Sequence, residues 1–137
     1  MKKHTKPMTG QDIRVRADDT HEFLLAAQLI IDHSADTGMK HRGKSVGSLA
    51  VLAGIAASDA ICGRALGKCA AGEAHEEAVK LLATATVNGP VYARDLRRLL
   101  RSKTNVQYSP IVVGEGRNTE LVKYARRLVD GLDKELG

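Results

Sequence analysis

Between residues 94 and 103 the chain carries Arg94, Arg97, Arg98, Arg101 and Lys103, offset by a single acid, Asp95. Read at the helical period of 3.6, Arg94, Arg98, Arg101, Asn105 and Tyr108 fall on one stripe, with Leu96, Leu99, Leu100 and Val106 on the opposite side. The chemistry such a stripe offers is phosphate recognition. Guanidinium groups match pairs of phosphate oxygens, Lys103 adds a point charge, and Asn105 supplies a neutral donor and acceptor. Tyr108 offers a ring to stack on a base or a hydroxyl to donate to a phosphate. Like charges one helical turn apart repel by a few tenths of a kcal/mol per pair, roughly, so solubility alone does not call for this arrangement.

Two other residues are candidate supports for that surface. Asp59 interrupts the most apolar segment of the chain; it either takes an arginine of the later, basic helix as partner or reaches solvent at the helix edge. His75 shares a helical face with Ala78, Val79 and Leu82, which favours a hydrogen-bonded interfacial histidine over a catalytic base.

A chain of 137 residues fits one domain with a real core. That core is aliphatic, since the sequence holds one Phe, three Tyr and no Trp. Abundant Ala and Leu favour packed helices over a β-sandwich. A net charge of +5 and a pI near 9.4 point to an anionic partner, nucleic acid ahead of an acidic membrane surface. Cys62 and Cys69 lack the short spacing of a zinc knuckle or redox pair and read as packing residues. No Gly-rich phosphate loop, metal-ligand motif or nucleophile elbow is present, so no metal or other cofactor is expected. The basic N-terminus lacks a secretory apolar region, and the longest apolar run, Leu49 to Ala57, is too short to span a bilayer. A cytoplasmic protein is the default expectation, with no membrane partner.

The elements that must position the stripe follow from the apolar period and the breakers. Residues 1–8 offer little to bury and read as a disordered basic tail, leaving 9–137 as a single helical domain. Thr9-Gly-Gln-Asp12 has capping-box character, with a second possible start at Asp19-Thr20-His21-Glu22, and a helix runs to about Ala35 on Phe23, Leu24, Ala27, Ile30 and Ile31. His21 and His33 flank it in solvent. Thr37 to Lys44 reads as a second basic cluster on a loop. Ser45 to Leu66 is the central helix, with Gly47 and Gly54 letting neighbours come close. After a loop over Gly67 to Gly72, a helix begins at Glu73. Asn88-Gly89-Pro90 then breaks the chain, with Pro90 at the first turn of the basic helix, which Ser109-Pro110 ends. Ile111 to Val113 is extended or a packed loop, and Asn118 or Thr119 caps a last helix carrying Leu121, Val122, Ala125, Leu128, Val129, Leu132 and Leu136. The sum is an all-α bundle of four to five helices.

In this setting Arg101-Ser-Lys-Thr-Asn-Val106-Gln-Tyr108 resembles the Arg-x4-His-x-Tyr pattern of the HEPN superfamily, the compact helical bundles of prokaryotic defence and toxin-antitoxin systems. The likeness extends to the order of helices over about Asp18 to Asp133. Arg101 and Tyr108 match, and Val106 stands where the family has histidine. The resemblance implies a homodimer in which Arg101 holds a phosphate across the interface. The proton of a ribose 2′-hydroxyl, moved by histidine in the family, has no carrier in Val106. Tyr108, with an ordinary pKa near 10, is about one part in a thousand phenolate at pH 7 and a poor base. The expected function is therefore an RNA- or nucleotide-binding HEPN-like protein with weak or no nuclease activity. One alternative is a metal-independent endoribonuclease that recruits His75 or His41 as base. Another is a helical module paired with a nucleotidyltransferase-type antitoxin protein, with Tyr108 as a modification target.

Overall fold

A computed structural model describes residues 4–33, 35–72, 75–110 and 112–137. These contain helices α1 (Gly10–Asp32), α2 (Arg42–Leu66), α3 (His75–Ala85), α4 (Gly89–Arg101), α5 (Lys103–Gln107) and α6 (Glu115–Leu136), together with two short strands, β1 (Thr5–Pro7) and β2 (Lys68–Ala70). The predominantly helical architecture agrees with expectation, with one more helix than the four to five read from the sequence.

α2 is the centre. Ala50, Ala53, Ala57, Ala60 and Ile61 on it are fully buried. Its small side chains let α1 run along one side and α6 along another, while α3, α4 and α5 cover what remains. Leucines close the core from the far side: Leu96 and Leu99 on α4 and Leu121, Leu128 and Leu132 on α6 have no exposed surface. Burying each contributes roughly 1.5–3 kcal/mol. α2 is also long and apolar enough to span a membrane, but most of it is buried inside the protein.

Several boundaries depart from expectation, each for a local reason. The N-terminal segment is not a tail over its described part. Thr5–Pro7 pairs antiparallel with Lys68–Ala70, setting Lys6 opposite Cys69, and the Met8 N–H donates to the Gly67 carbonyl at 2.9 Å. Gly67 itself, at φ 72°, is the left-handed cap that ends α2, so the expected Gly67 to Gly72 loop contains a strand instead. α1 starts at the Thr9–Asp12 capping box, not at Asp19, and ends at Asp32, short of Ala35. Ile31, placed on its apolar stripe, is 40% exposed. His21 is half exposed and meets Asp133 at 2.8 Å. α2 begins at Arg42, drawing the end of the basic loop into its first turn, and α6 begins at Glu115 with Gly114 as its cap, ahead of Asn118 and Thr119. The expected helix start at Glu73 and the extended reading of Ile111 lie outside the described residues.

The basic helix is the largest correction. Instead of running on to Tyr108 it stops at Arg101. The Ser102 N–H folds back to the Leu99 carbonyl at 3.0 Å, three residues behind, which tightens the last turn. The buried Ser102 hydroxyl accepts a hydrogen bond from Arg117 of α6. The chain then turns into α5, which sends Val106 into the core, 2% exposed. Both cysteines are free and buried, and burial pushes the Cys62 thiol up to about 12.

Two glycines of α6 separate packing from propensity. A Cβ at Gly131 would stand 2.4 Å from the Tyr92 ring, whereas one at Gly116 would meet nothing within 4 Å. Gly131→Ala is expected to destabilise by about 1–2 kcal/mol net, because overpacking outweighs about 1 kcal/mol of helix propensity, while Gly116→Ala stabilises by about 0.5 kcal/mol. Urea unfolding midpoints of the two variants check the contrast.

Candidate functional site

The sequence of α4 divides cleanly into two arcs. Tyr92, Ala93, Asp95, Leu96 and Leu99 are buried, and Arg94, Arg97, Arg98 and Arg101 form the outer ridge. The two flanking arginines are tied to neighbouring helices. Arg97 Nη2 donates to Glu76 Oε1 of α3 at 3.2 Å. Arg98 lies over the Tyr124 ring of α6 at 5.1 Å, with its Nη1 3.7 Å from Asp95 Oδ1. Arg94 and Arg101, which lie between these two around the helix and at the two ends of the ridge along it, are exposed and make no ion pair or hydrogen bond among the described residues.

Asp95 is the residue whose role the sequence reading passed over. It is 1% exposed, and Arg98 and Arg127 approach the same carboxylate oxygen at 3.7 and 3.6 Å. These are ion pairs rather than hydrogen bonds, and Asp95 Oδ1 has no hydrogen-bond partner among the described residues. The signal was present in the spacing: Asp95 is three residues after Tyr92 and four before Leu99, on the apolar side of the helix.

Beside the ridge are two openings that share a wall. A cleft of about 340 Å³ is lined by His75, Glu76, Val79, Arg97, Leu100 and Arg101. A more enclosed cavity of about 290 Å³ lies on the other side of His75 and Leu100, bounded by Lys6, Arg16, Ile55, Ser58, Asp59 and Lys103 among others. Lys103 Nζ is 3.2 Å from His75 Nε2, so the ammonium donates and the ring nitrogen accepts. The structure therefore brings together Asp59, His75 and Lys103 around one cavity, with Arg97 and Arg101 at its neighbour.

Asp59 has a different partner from the one expected. Arg16 of α1, not an arginine of the basic helix, reaches it at 3.1 Å, and Arg16 also holds Asp19 at 2.9 Å. Burial raises the Asp59 carboxyl above its ordinary value, against the opposing pull of the Arg16 charge and hydrogen bond and of Lys6. Lys6 enters this setting because β1 holds it there, which no reading of residues 1–8 as a tail could anticipate.

The remaining predicted positions separate. Asn105 sits on α5 and Tyr108 caps its C-terminal end, so the continuous stripe from Arg94 to Tyr108 does not form. Asn105 is exposed and Tyr108 is 71% exposed. Val106, at the histidine position of the Arg-x4-His-x-Tyr pattern, rests on the bare backbone of Gly47, where a Cβ would stand 2.5 Å from its Cγ1. A side chain here faces the core, not a cleft. His41, the other candidate base, lines a separate recess at the start of α2 with Lys40, Arg42, Lys44 and Asn118. Compared with known proteins, the chain matches no family model, no curated protein and no solved structure.

Two substitutions probe this arrangement. Val106→His is expected to cost about 2–4 kcal/mol in urea unfolding, from overpacking and an unpaired buried imidazole, and to create no nuclease activity; a stable variant that cleaves RNA would contradict the placement. Arg16→Met leaves Asp59 without its cation, for a loss of about 1–3 kcal/mol at neutral pH. Because the Asp59 carboxyl is raised, its contribution to stability is present below the ordinary carboxyl range and is lost as pH climbs through the raised value. The deficit of Arg16→Met should accordingly shrink toward acid pH, and a pH-independent deficit would sink the assignment.

Proposed function

We propose that this chain is a HEPN-like protein that binds RNA or a nucleotide through the α4 ridge, with weak or no nuclease activity, in a prokaryotic defence or toxin-antitoxin setting. The observation that carries the reading is the state of Arg94 and Arg101, two outward guanidinium groups without ion-pair or hydrogen-bond partners among the described residues, on the same ridge as two arginines already tied to α3 and α6. Seven residues of helix separate them by about 10.5 Å along the axis, so they meet different phosphates of a strand. Exposed Asn105 of α5 and Tyr108 just past its C-terminal end extend the surface with a neutral donor and a ring for stacking. Weak or absent cleavage follows from Val106, which fills the position of the proton-moving residue and is buried. A cytoplasmic location and a symmetric dimer belong to the same reading. Exposed apolar side chains that a partner copy could cover are Val15, Leu25, Leu29 and Ile31 on α1, with Leu52 and Leu66 on α2 and Val91 on α4.

The endoribonuclease alternative has one observation in its favour. His75 stands between Lys103 and the cleft of Arg101, where a base for a 2′-hydroxyl has a cation at hand. The interaction module with an antitoxin partner draws on Tyr108, whose exposure leaves its hydroxyl open to modification.

Fluorescence anisotropy with single-stranded RNA, as a function of salt, tests the main reading. Affinity should fall on a log-log plot as counterions are released, and Arg94→Ala and Arg101→Ala should each flatten the slope by about 0.7. Arg97→Ala and Arg98→Ala should change it less. Affinity indifferent to salt, or unmoved by the Arg94→Ala/Arg101→Ala double variant, would remove the ridge from the account. Intact RNA after incubation supports binding without cleavage, and cleavage lost in both His75→Ala and Arg101→Ala moves the protein to the nuclease alternative.

A further inference from the structure

The more enclosed of the two openings has a donor and acceptor set of its own. Its charged lining, among the described residues, is Lys6, Arg16 and Lys103 against Asp59. Arg16 is occupied by Asp59 and Asp19, so its charge is spent inside the wall. Lys103 and Lys6 remain. Lys103 gives one of its three protons to His75, which leaves two donors, and Lys6 is delivered from β1 on a different side. Three cations against one carboxylate around a space of about 290 Å³ leave a net positive charge among the described lining residues, which suits a compact dianion, as a phosphate monoester is at neutral pH.

Asp59 adds the second half of the recognition. Both Arg16 contacts end on Asp59 Oδ2, and Oδ1 has no hydrogen bond among the described residues. A carboxylate oxygen in the wall of a lysine-lined cavity repels an anion at short range but accepts from a hydroxyl. Apolar Ile55 and Leu100 line the same space. The ligand that fits carries a phosphate at one end and a hydroxylated, otherwise compact body. The volume lies at the low end of small-ligand pockets, enough for one sugar phosphate unit and too little for a length of strand.

We propose that this cavity binds a phosphorylated ribose, its terminal phosphate held by Lys103 and Lys6 and a sugar hydroxyl donating to Asp59. Two sources share that chemistry: a free sugar phosphate, and the phosphorylated end of an RNA strand whose remainder lies on the ridge. The second source rests on the reading of α4 as an RNA surface; the first does not.

Isothermal titration of the full chain with ribose 5-phosphate tests the site, with ribose and inorganic phosphate as controls. Saturable binding of ribose 5-phosphate is expected, with inorganic phosphate weaker and ribose without measurable heat. Lys103→Gln and Lys6→Gln should each weaken binding by about tenfold or more, as loss of a charged hydrogen bond does. Lys6 lies on an exposed strand, so its variant keeps the test open should Lys103→Gln fail to fold. No saturable binding of ribose 5-phosphate, or unchanged affinity in folded variants of both lysines, would overturn the proposal. The source is read with RNA ten-mers that differ only in a terminal phosphate. A preference of about tenfold for a phosphorylated end, lost in Lys103→Gln, supports the strand end, and equal affinities beside ribose 5-phosphate binding support the free sugar phosphate. If no RNA binds while ribose 5-phosphate does, the ridge reading fails and the cavity stands.

Discussion

Val106 reaches the core because α2 carries no side chain at Gly47. A Cβ there would come within 2.5 Å of Val106 Cγ1, so the contact exists only with glycine in that place. Much follows from this one approach. With Val106 seated, Ser48 Oγ donates to the Val106 carbonyl at 3.0 Å and Lys44 donates to the Ser109 carbonyl, which fixes α5 across the first turns of α2. α5 in that position requires the basic helix to end at Arg101. The arginines are thereby left on α4 and the tyrosine at the end of α5, with a turn at buried Ser102 between them.

Electrostatics on α4 is settled by competition among like charges. Four arginines on one ridge repel, and the structure relieves the outer two by giving Arg97 to Glu76 and Arg98 to Asp95 and the Tyr124 ring. Asp95 is buried under Arg98 and Arg127, a position tolerable for a carboxylate only with cations close by. Arg94 and Arg101 have no such relief among the described residues. Their remaining charge is what an incoming phosphate would neutralise, and on this point the proposed RNA-binding function depends.

The parts of this fold legible in sequence are those governed by local rules. The Thr9–Asp12 capping box, the apolar period of α2 and α6, and Pro90 at the first turn of α4 all act within a few residues, and each appears in the structure. What stayed hidden depends on contacts distant in sequence. β1 is three residues long and gains its partner more than sixty residues later, so composition made it a tail. The break at Ser102 is driven by Arg117 and Gly47, neither visible from the apolar spacing of 94–108. The same holds for the site. The cation beside Asp59 is Arg16, 43 residues upstream, and only the fold brings Lys6, His75 and Lys103 to the same cavity.

The proposed function has phosphate met by Arg94 and Arg101 on the α4 ridge. The most direct measurement is an NMR titration of the arginine side chains with a short single-stranded RNA, following the Nε–Hε resonances. Those of Arg94 and Arg101 should shift most, with smaller changes at Arg97 and Arg98, whose groups are already engaged. Shifts confined to Arg42 beside the basic recess at the start of α2, or none on α4 at saturating RNA, would contradict it.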